Sequence, residues 1–367
     1  MKKIVHVQVI PKLSGVQQVS LDVLSNLEGY QKYIIFGGGY LPDEQLVNKC
    51  HLNNINILYV KNLKREICFK DIYAFFELYK LFKNEKFDIV HSNSTKPGIV
   101  ARIAARAAGV NKVIHTIHGI SYHRFEKLHK RIIYYIIEYI SSLFSHDLIS
   151  VNSCYLKYYP LIKNKRVIYN AIDYSNFSYG NKKKYDNEII TVGFMSRLDY
   201  QKDPLTLLRA IKIGIDNNSI NNIRFIIGGD GELMDECLSY CEKNNLFDYV
   251  EFIGWVKDKS SFYNNIDILC VPSIFEAFGL VFLEAGLHSV PSISTNVEGV
   301  PEVILNQESG ILVEPKNSSA ILEAILNYKN DRKLLELHSL KANEIAINKF
   351  TIKNMVNSYK SLYEEQT

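Results

Sequence analysis

The pattern that most constrains this chain is an alternation of short apolar runs with longer amphipathic stretches, repeated along its whole length. Short Val- and Ile-rich runs suit strands buried on both faces of a parallel sheet, and the longer stretches suit the helices that cross between them. The first half offers strands at 4–10, 33–36, 55–60, 89–92, 112–115, 148–151 and 166–168. The second half offers them at 189–194, 224–228, 250–253, 268–271, 291–294 and 310–313. Two such stacks predict an α/β chain of two Rossmann-like, doubly wound domains. Its 367 residues exceed the comfortable size of one core, which agrees. With 47% hydrophobic residues, a disordered chain is excluded.

The expected break follows Asn170-Ala171-Ile172-Asp173 and Phe177, where the polar run 180–187 collects turn formers and charge. This gives a first domain over 1–178 and a second over 179–350, with an amphipathic helix over 351–367. The halves differ in charge, with 24 Lys and Arg against 13 Asp and Glu in 1–178, and 19 against 26 in the remainder. A basic first half suits an anionic partner, either nucleic acid or a lipid-headgroup and pyrophosphate surface. Nucleic acid is not expected, because no basic block with interleaved aromatics, zinc pattern or helix-turn-helix is present. Six scattered cysteines without CxxC or Cys/His ligand spacing read as reduced cytosolic thiols, and Cys237 and Cys241 as ordinary residues of one helix. The apolar run near the start meets Pro11 too early for a signal peptide and reads as a buried strand.

Chemistry concentrates in the second half. Glu276 and Glu284 stand eight residues apart around Phe278-Gly279-Leu280. At about 100° per helical residue they would diverge by about 80° on one helix, so Glu276 belongs in the preceding loop and Glu284 about one turn inside the helix. The unpaired N–H groups near Phe278, Gly279 and Leu280 then form an anion site at the positive helix end. Arg197 and Lys202 follow another strand on a loop, five residues apart, where a fork of donors and a mobile charge can straddle a diphosphate. Gly228, Gly229 and Gly231 form a glycine turn that falls short of the dinucleotide fingerprint. In the first half, His118 and Gly119 follow a strand, at the sheet edge that faces ligands in such folds, whereas His115 reads as a strand residue.

Taken together these segments resemble the family 4 retaining glycosyltransferases, which have the GT-B fold of two Rossmann-like domains facing across a cleft. The match rests on the E-x7-E element of Glu276 and Glu284, on Arg197-Leu198 with Lys202, on the glycine turn and on the connector at 170–173. The resemblance implies that Glu276 contacts the donor sugar, Glu284 the ribose hydroxyls, Arg197 and Lys202 the diphosphate, and His118 the sugar in the transition state. Gly228, Gly229 and Val256 would line the nucleotide pocket, Val256 through its backbone, and Gly15 would meet the leaving phosphate. Departures from the family pattern are Ser14, Ala171, Asp203 and Glu298, each standing where the family has glycine. The Ser14 side chain narrows the backbone there, and Glu298 could add a carboxylate near the cleft.

The implied reaction moves a hexose or N-acetylhexosamine from a nucleoside diphosphate sugar, with UDP favoured, retaining its anomeric configuration and using neither metal nor other cofactor. The implied acceptor is an oligosaccharide on undecaprenyl diphosphate, in O-antigen or capsule synthesis. Residues 121–140 are basic and then oily, too short an apolar run to span a bilayer and interrupted by Glu138, yet suited to an anionic membrane surface. A second basic and aromatic face is offered by 61–87, and the expected location is the cytoplasm, peripheral at the inner face of the plasma membrane. A GT-B sugar-nucleotide 2-epimerase, or a silent sugar-nucleotide-binding subunit, are the competing readings.

Overall fold

A computed structural model describes residues 1–64, 71–93, 95–173 and 187–365, with Thr95 and Lys96 described through their backbone alone. It forms two compact units, Met1–Ala171 with Ile352–Thr367, and Ile172–Thr351. The first holds strands β1 (Lys2–Val7), β2 (Tyr30–Gly37), β3 (Ile55–Val60), β4 (Ile89–Asn93), β5 (Lys112–Ile117), β6 (Asp147–Ser150) and β7 (Lys165–Val167). Helices α1 (Gly15–Ser25), α2 (Glu44–Leu52), α3 (Asp71–Glu85), α4 (Thr95–Ala108) and α5 (Leu128–Ser142) run between them. The second holds β8 (Ile190–Met195), β9 (Ile223–Gly228), β10 (Val250–Gly254), β11 (Ile268–Cys270), β12 (Ser292–Thr295) and β13 (Gly310–Val313). Its helices are α6 (Pro204–Asp216), α7 (Met234–Lys243), α8 (Lys259–Asn264), α9 (Leu280–Leu287), α10 (Val300–Val303), α11 (Ser318–Asn330) and α12 (Arg332–Asn348).

Strand order is β3-β2-β1-β4-β5-β6-β7 in one sheet and β10-β9-β8-β11-β12-β13 in the other, with every pair parallel. The order reverses beside β1 and beside β8, the switch points at whose carboxyl edge ligands bind in doubly wound folds. Both faces of the first sheet are covered. Ile4, Ile34, Ile114 and Ile149 meet Leu24 of α1, whereas Val5, Val7, Val90 and Val113 meet Ala74 and Leu78 of α3 and Ala101 and Ala105 of α4. Alternate residues of each strand therefore serve opposite cores, which is why the strands read as unbroken apolar runs.

The units divide at Ala171 and Ile172, earlier than the expected break after 178. Ile172 bridges to Thr351, so the chain enters and leaves the second unit at one place. Of the polar connector at 180–187, all but Asn187 lies outside the described residues, as do Phe177 and positions 65–70 of the 61–87 stretch. The final helix, α13 (Ile352–Glu364), belongs to the first unit, where Met355, Tyr359, Leu362 and Tyr363 join the α1 face. Polar contacts hold it as well: the Tyr363 hydroxyl lies 3.0 Å from His6 Nε2 and 2.7 Å from His91 Nδ1, and Arg166 pairs with Glu365 at 2.7 Å.

Candidate active site

In the second unit the loop leaving β8 and the glycine turn leaving β9 are pressed together backbone to backbone. Ser196 N donates to Gly228 O at 3.2 Å, Leu198 N to Asp230 O at 3.0 Å, and Leu233 N to Leu198 O at 2.9 Å. Gly229 has φ +141°, and a Cβ there would overlap the Ser196 carbonyl oxygen. The glycines are thus required by close approach of two loops, and Val256 packs its side chain over Gly228. The result is a rigid mount for the segment that carries Arg197 and Lys202.

These two cations take different partners. Arg197, 57% exposed at its side chain, sends Nη2 to Asp199 Oδ2 at 3.0 Å and to Gln201 Oε1 at 3.3 Å. Lys202 instead forms an ion pair with Glu276, both side chains only 12% exposed. Gln201 joins the two loops, donating from Nε2 to Phe275 O at 3.1 Å while its backbone carbonyl accepts from Ile274 N at 2.8 Å. Asp199 and Gln201 therefore orient Arg197 and dock the β8 loop on the Glu276 loop, roles that spacing alone did not reveal.

Glu276 lies in the loop before α9, and Glu284 lies one turn inside that helix. Gly279 caps the helix at φ +87°, in the left-handed region that favours glycine, and a Cβ there would strike the Phe282 ring. Phe278 is buried edge-on against Phe350 with centroids 5.3 Å apart, while Leu280 opens the helix. The Glu276 carbonyl accepts from Gly299 N at 3.1 Å. Glu284 is held by Lys259 Nζ at 2.5 Å and by the Tyr263 hydroxyl at 3.0 Å, two partners outside every motif. Burial, and then the Glu284 charge, push the Tyr263 hydroxyl well above its usual range, so Tyr263 serves as a donor.

Two of the glycine departures have a backbone explanation. Asp203 has φ +48° and Glu298 φ +43°, so each occupies a left-handed position where glycine is the easiest residue. Asp203 is steadied by Thr206 Oγ1, which donates to its Oδ2 at 2.7 Å. Ser14 is different. Its backbone is extended at φ −143° and ψ 178°, open to any residue, so its Cβ imposes no strain and the expected narrowing has no consequence there. Gly15 is the first residue of α1, and the Ser14 hydroxyl turns onto Gln17 Oε1.

In the first unit His118 sits just past β5, half-buried, with Nε2 3.0 Å from Asn93 Oδ1 at the end of β4. Asn93 Nδ2 reaches His91 O at 3.5 Å, a bond only an amide NH2 can make, so its Oδ1 faces His118 and accepts. His118 thus donates from Nε2 and keeps Nδ1 as an acceptor. Burial lowers its pKa to about 4, which makes it a neutral imidazole at physiological pH. His115 is a core residue, its Nδ1 2.9 Å from Ser92 Oγ. Glu138, which interrupts the apolar run in sequence, turns inward to Arg102 at 2.8 Å.

The model of the group 1 glycosyl transferases matches residues 178–344, and that of the glycosyl transferase 4-like proteins matches residues 43–153. Along nearly its entire length the chain is similar to an Escherichia coli UDP-Gal:α-D-GlcNAc-diphosphoundecaprenol α-1,3-galactosyltransferase, 32% identical over 98% of this chain and 96% of that protein. This chain belongs to the family 4 glycosyltransferases. The glycosyltransferase is also 31% identical, over 71% of each chain, to a Campylobacter jejuni α-1,4-N-acetylgalactosaminyltransferase named for an undecaprenol-diphosphate-linked acceptor. Its fold matches that of Anabaena HepE, solved with UDP-glucose, at a TM-score of 0.81 and 17% identity across 100% of both chains. Its two Rossmann-like sheets are those of a GT-B enzyme. The loops after β8, β9 and β11 of the glycosyltransferase bring Arg197, Lys202, Gly228, Gly229, Glu276 and Gly279 to the carboxyl edge of one sheet.

Proposed function

We propose that this glycosyltransferase moves a hexose or N-acetylhexosamine from a UDP-sugar to an oligosaccharide carried on undecaprenyl diphosphate, with retention and without a metal. The observation that carries this reading is the end-to-end likeness to the E. coli enzyme whose name states both a UDP-sugar donor and a diphosphoundecaprenol acceptor. The α linkages named for the E. coli and C. jejuni relatives are those that retention gives from an α-linked nucleotide sugar. Metal independence is favoured by the cations, which can meet the diphosphate themselves.

As the bond from the anomeric carbon to the β-phosphate breaks, negative charge grows on the diphosphate and positive charge on the sugar. Arg197, already oriented by Asp199, offers its fork to the diphosphate. Lys202 lies between the two charges, since its ammonium is paired with Glu276 and can share itself with an arriving phosphate. Within the second unit Glu276 holds sugar hydroxyls and Glu284, preset by Tyr263, takes the ribose, while in the first unit the neutral His118 offers Nδ1 as an acceptor for a hydroxyl. The acceptor oxygen bonds to the anomeric carbon as its proton passes to the departing phosphate. Because the acceptor is a lipid, the protein works as a peripheral protein at the cytoplasmic face of the membrane.

The test supplies radiolabelled UDP-galactose, UDP-glucose and their N-acetyl forms together with GlcNAc-diphosphoundecaprenol, with and without EDTA. Label should pass to the lipid in α linkage by NMR, undiminished by EDTA. A β product, or label confined to an epimerised nucleotide sugar, would overturn the reading.

A further inference from the structure

Helix α5 is turned inside out for a helix on a water-soluble surface. Its inward side carries Glu138, Ser141 and Ser142, which are 2%, 1% and 0% exposed. Arg102 of α4, itself fully buried, donates from Nη2 to Glu138 Oε1 and to Ser141 Oγ, both at 2.8 Å. Its outward side carries Leu128, Ile132, Ile136 and Ile140, each four residues from the next, with Ile133 beside them, all between 48% and 69% exposed. Four-residue spacing aligns side chains along one ridge, here about 18 Å long at about 1.5 Å per residue.

The surroundings of the ridge indicate what covers it. Arg124, Lys127, Lys130 and Arg131 gather at its amino end, against the single acid Glu126 in 124–131. Beyond α4, which packs on both α3 and α5, helix α3 exposes Ile72, Tyr73 and Phe76 in its first turns. A crossover helix in a parallel sheet begins toward the carboxyl edge of the strands, so these apolar side chains and the cations lie toward the edge that carries His118. A second copy docked through a two-fold axis would have to supply acids for the four cations from the same surface, and the segment offers only Glu126 outside the core. No described helix is long and apolar enough to cross a membrane, so the ridge fits the plane of an interface.

We infer that α5 lies in the surface of an anionic bilayer, its Leu128–Ile132–Ile136–Ile140 ridge in the acyl boundary and Arg124, Lys127, Lys130 and Arg131 on lipid phosphates. This deepens the lipid-linked reading of the reaction by naming the surface through which the enzyme meets the membrane. Full-length protein is floated with vesicles of phosphatidylcholine alone or with phosphatidylglycerol added, in the absence of donor and acceptor. Binding is expected to the anionic vesicles, weakened by salt. The triple variant I132Q/I136Q/I140Q should lose at least about tenfold in partitioning, as expected when several buried apolar groups are removed. Its melting temperature should shift little and its UDP binding stay unchanged, because Ile132, Ile136 and Ile140 are 50%, 48% and 52% exposed and belong to a different unit from the Arg197 and Lys202 loop. Partitioning equal for wild type and variant, or indifferent to lipid charge, overturns the inference. So does a wild-type dimer that the variant dissolves, since a second copy would then cover the ridge. Vesicle binding without transfer to the lipid acceptor defeats the proposed reaction alone, and transfer in detergent without vesicle binding defeats this inference alone.

Discussion

The carboxyl edges of the two sheets share one strand order, 3-2-1-4-5-6 counted within each unit, yet they are furnished in opposite ways. The second edge carries charges in pairs, Lys202 with Glu276, Lys259 with Glu284 and Arg197 with Asp199. The first carries an uncharged pair, His118 on Asn93, backed by the buried His6, His91, Thr116, Tyr359 and Tyr363 network. The common topology supplies an edge, and the loop residues supply its chemistry. An edge of paired charges can receive a polyanion without stranding a bare ion in the meantime. An edge of neutral imidazole can hold hydroxyls without repelling a developing cation.

The largest effect should come from breaking the second edge. Lys202→Met leaves Glu276 mostly buried beside no cation, and turnover should fall by about 10²–10³-fold, the scale of losing one electrostatic group at a reacting centre. In a double-mutant cycle with Glu276→Gln, kcat/KM should reveal a coupling of about 1–3 kcal/mol; strict additivity would mean that the pair is not a functional unit. Gly229→Ala forces a Cβ onto Ser196, and should cost the second unit about 2–4 kcal/mol together with UDP affinity. Trp255, the sole tryptophan, lies in that unit and reports the urea midpoint by fluorescence. Arg197→Ala removes an exposed group, so stability should hold while UDP affinity in calorimetry drops about tenfold, as for a charged hydrogen bond.

The contrast also predicts which unit acid weakens. The pKa values of His6 and His118 are lowered by burial to about 3 and about 4, and those of His91 and His115 lie well below the usual value. Below about pH 6.5 the unfolded chain takes up protons that the folded unit refuses, so this stability is complete above that pH and fades as pH falls toward the folded values. Pulse proteolysis in urea at pH 7 and pH 5, read by fragment mass, should show the first unit losing midpoint. The second, where His338 shifts the same way, should lose less. The smallest effect belongs to Ser14→Gly. With an extended backbone at this position, stability should stay within about 0.5 kcal/mol and activity within about twofold.

Much of the fold could be read from residue order. Among the described residues each strand overlaps a stretch expected from the sequence, most of them apolar runs, because a strand covered on both faces needs no polar alternation, whereas β7 reads Lys-Arg-Val. Glu276 in the loop and Glu284 in the helix followed from helical pitch and the intervening glycine. Asp199, Gln201, Lys259, Tyr263 and Asn93 were not legible as site residues. Lys259 meets Glu284 across 25 positions and Asn93 meets His118 across 25, and no local pattern records such a meeting.

The sequence by itself determined two doubly wound sheets and the loops on which charge and glycine gather, since apolar period and turn chemistry act over a few residues. Tertiary structure alone decided that Lys202 answers Glu276, 74 positions away, and that α5 presents its isoleucines outward. Periodicity defines two faces of a helix without saying which one turns in. Here the buried guanidinium of Arg102 drew Glu138 and Ser141 toward it, because an unpaired charge in the core costs more than oil at the surface.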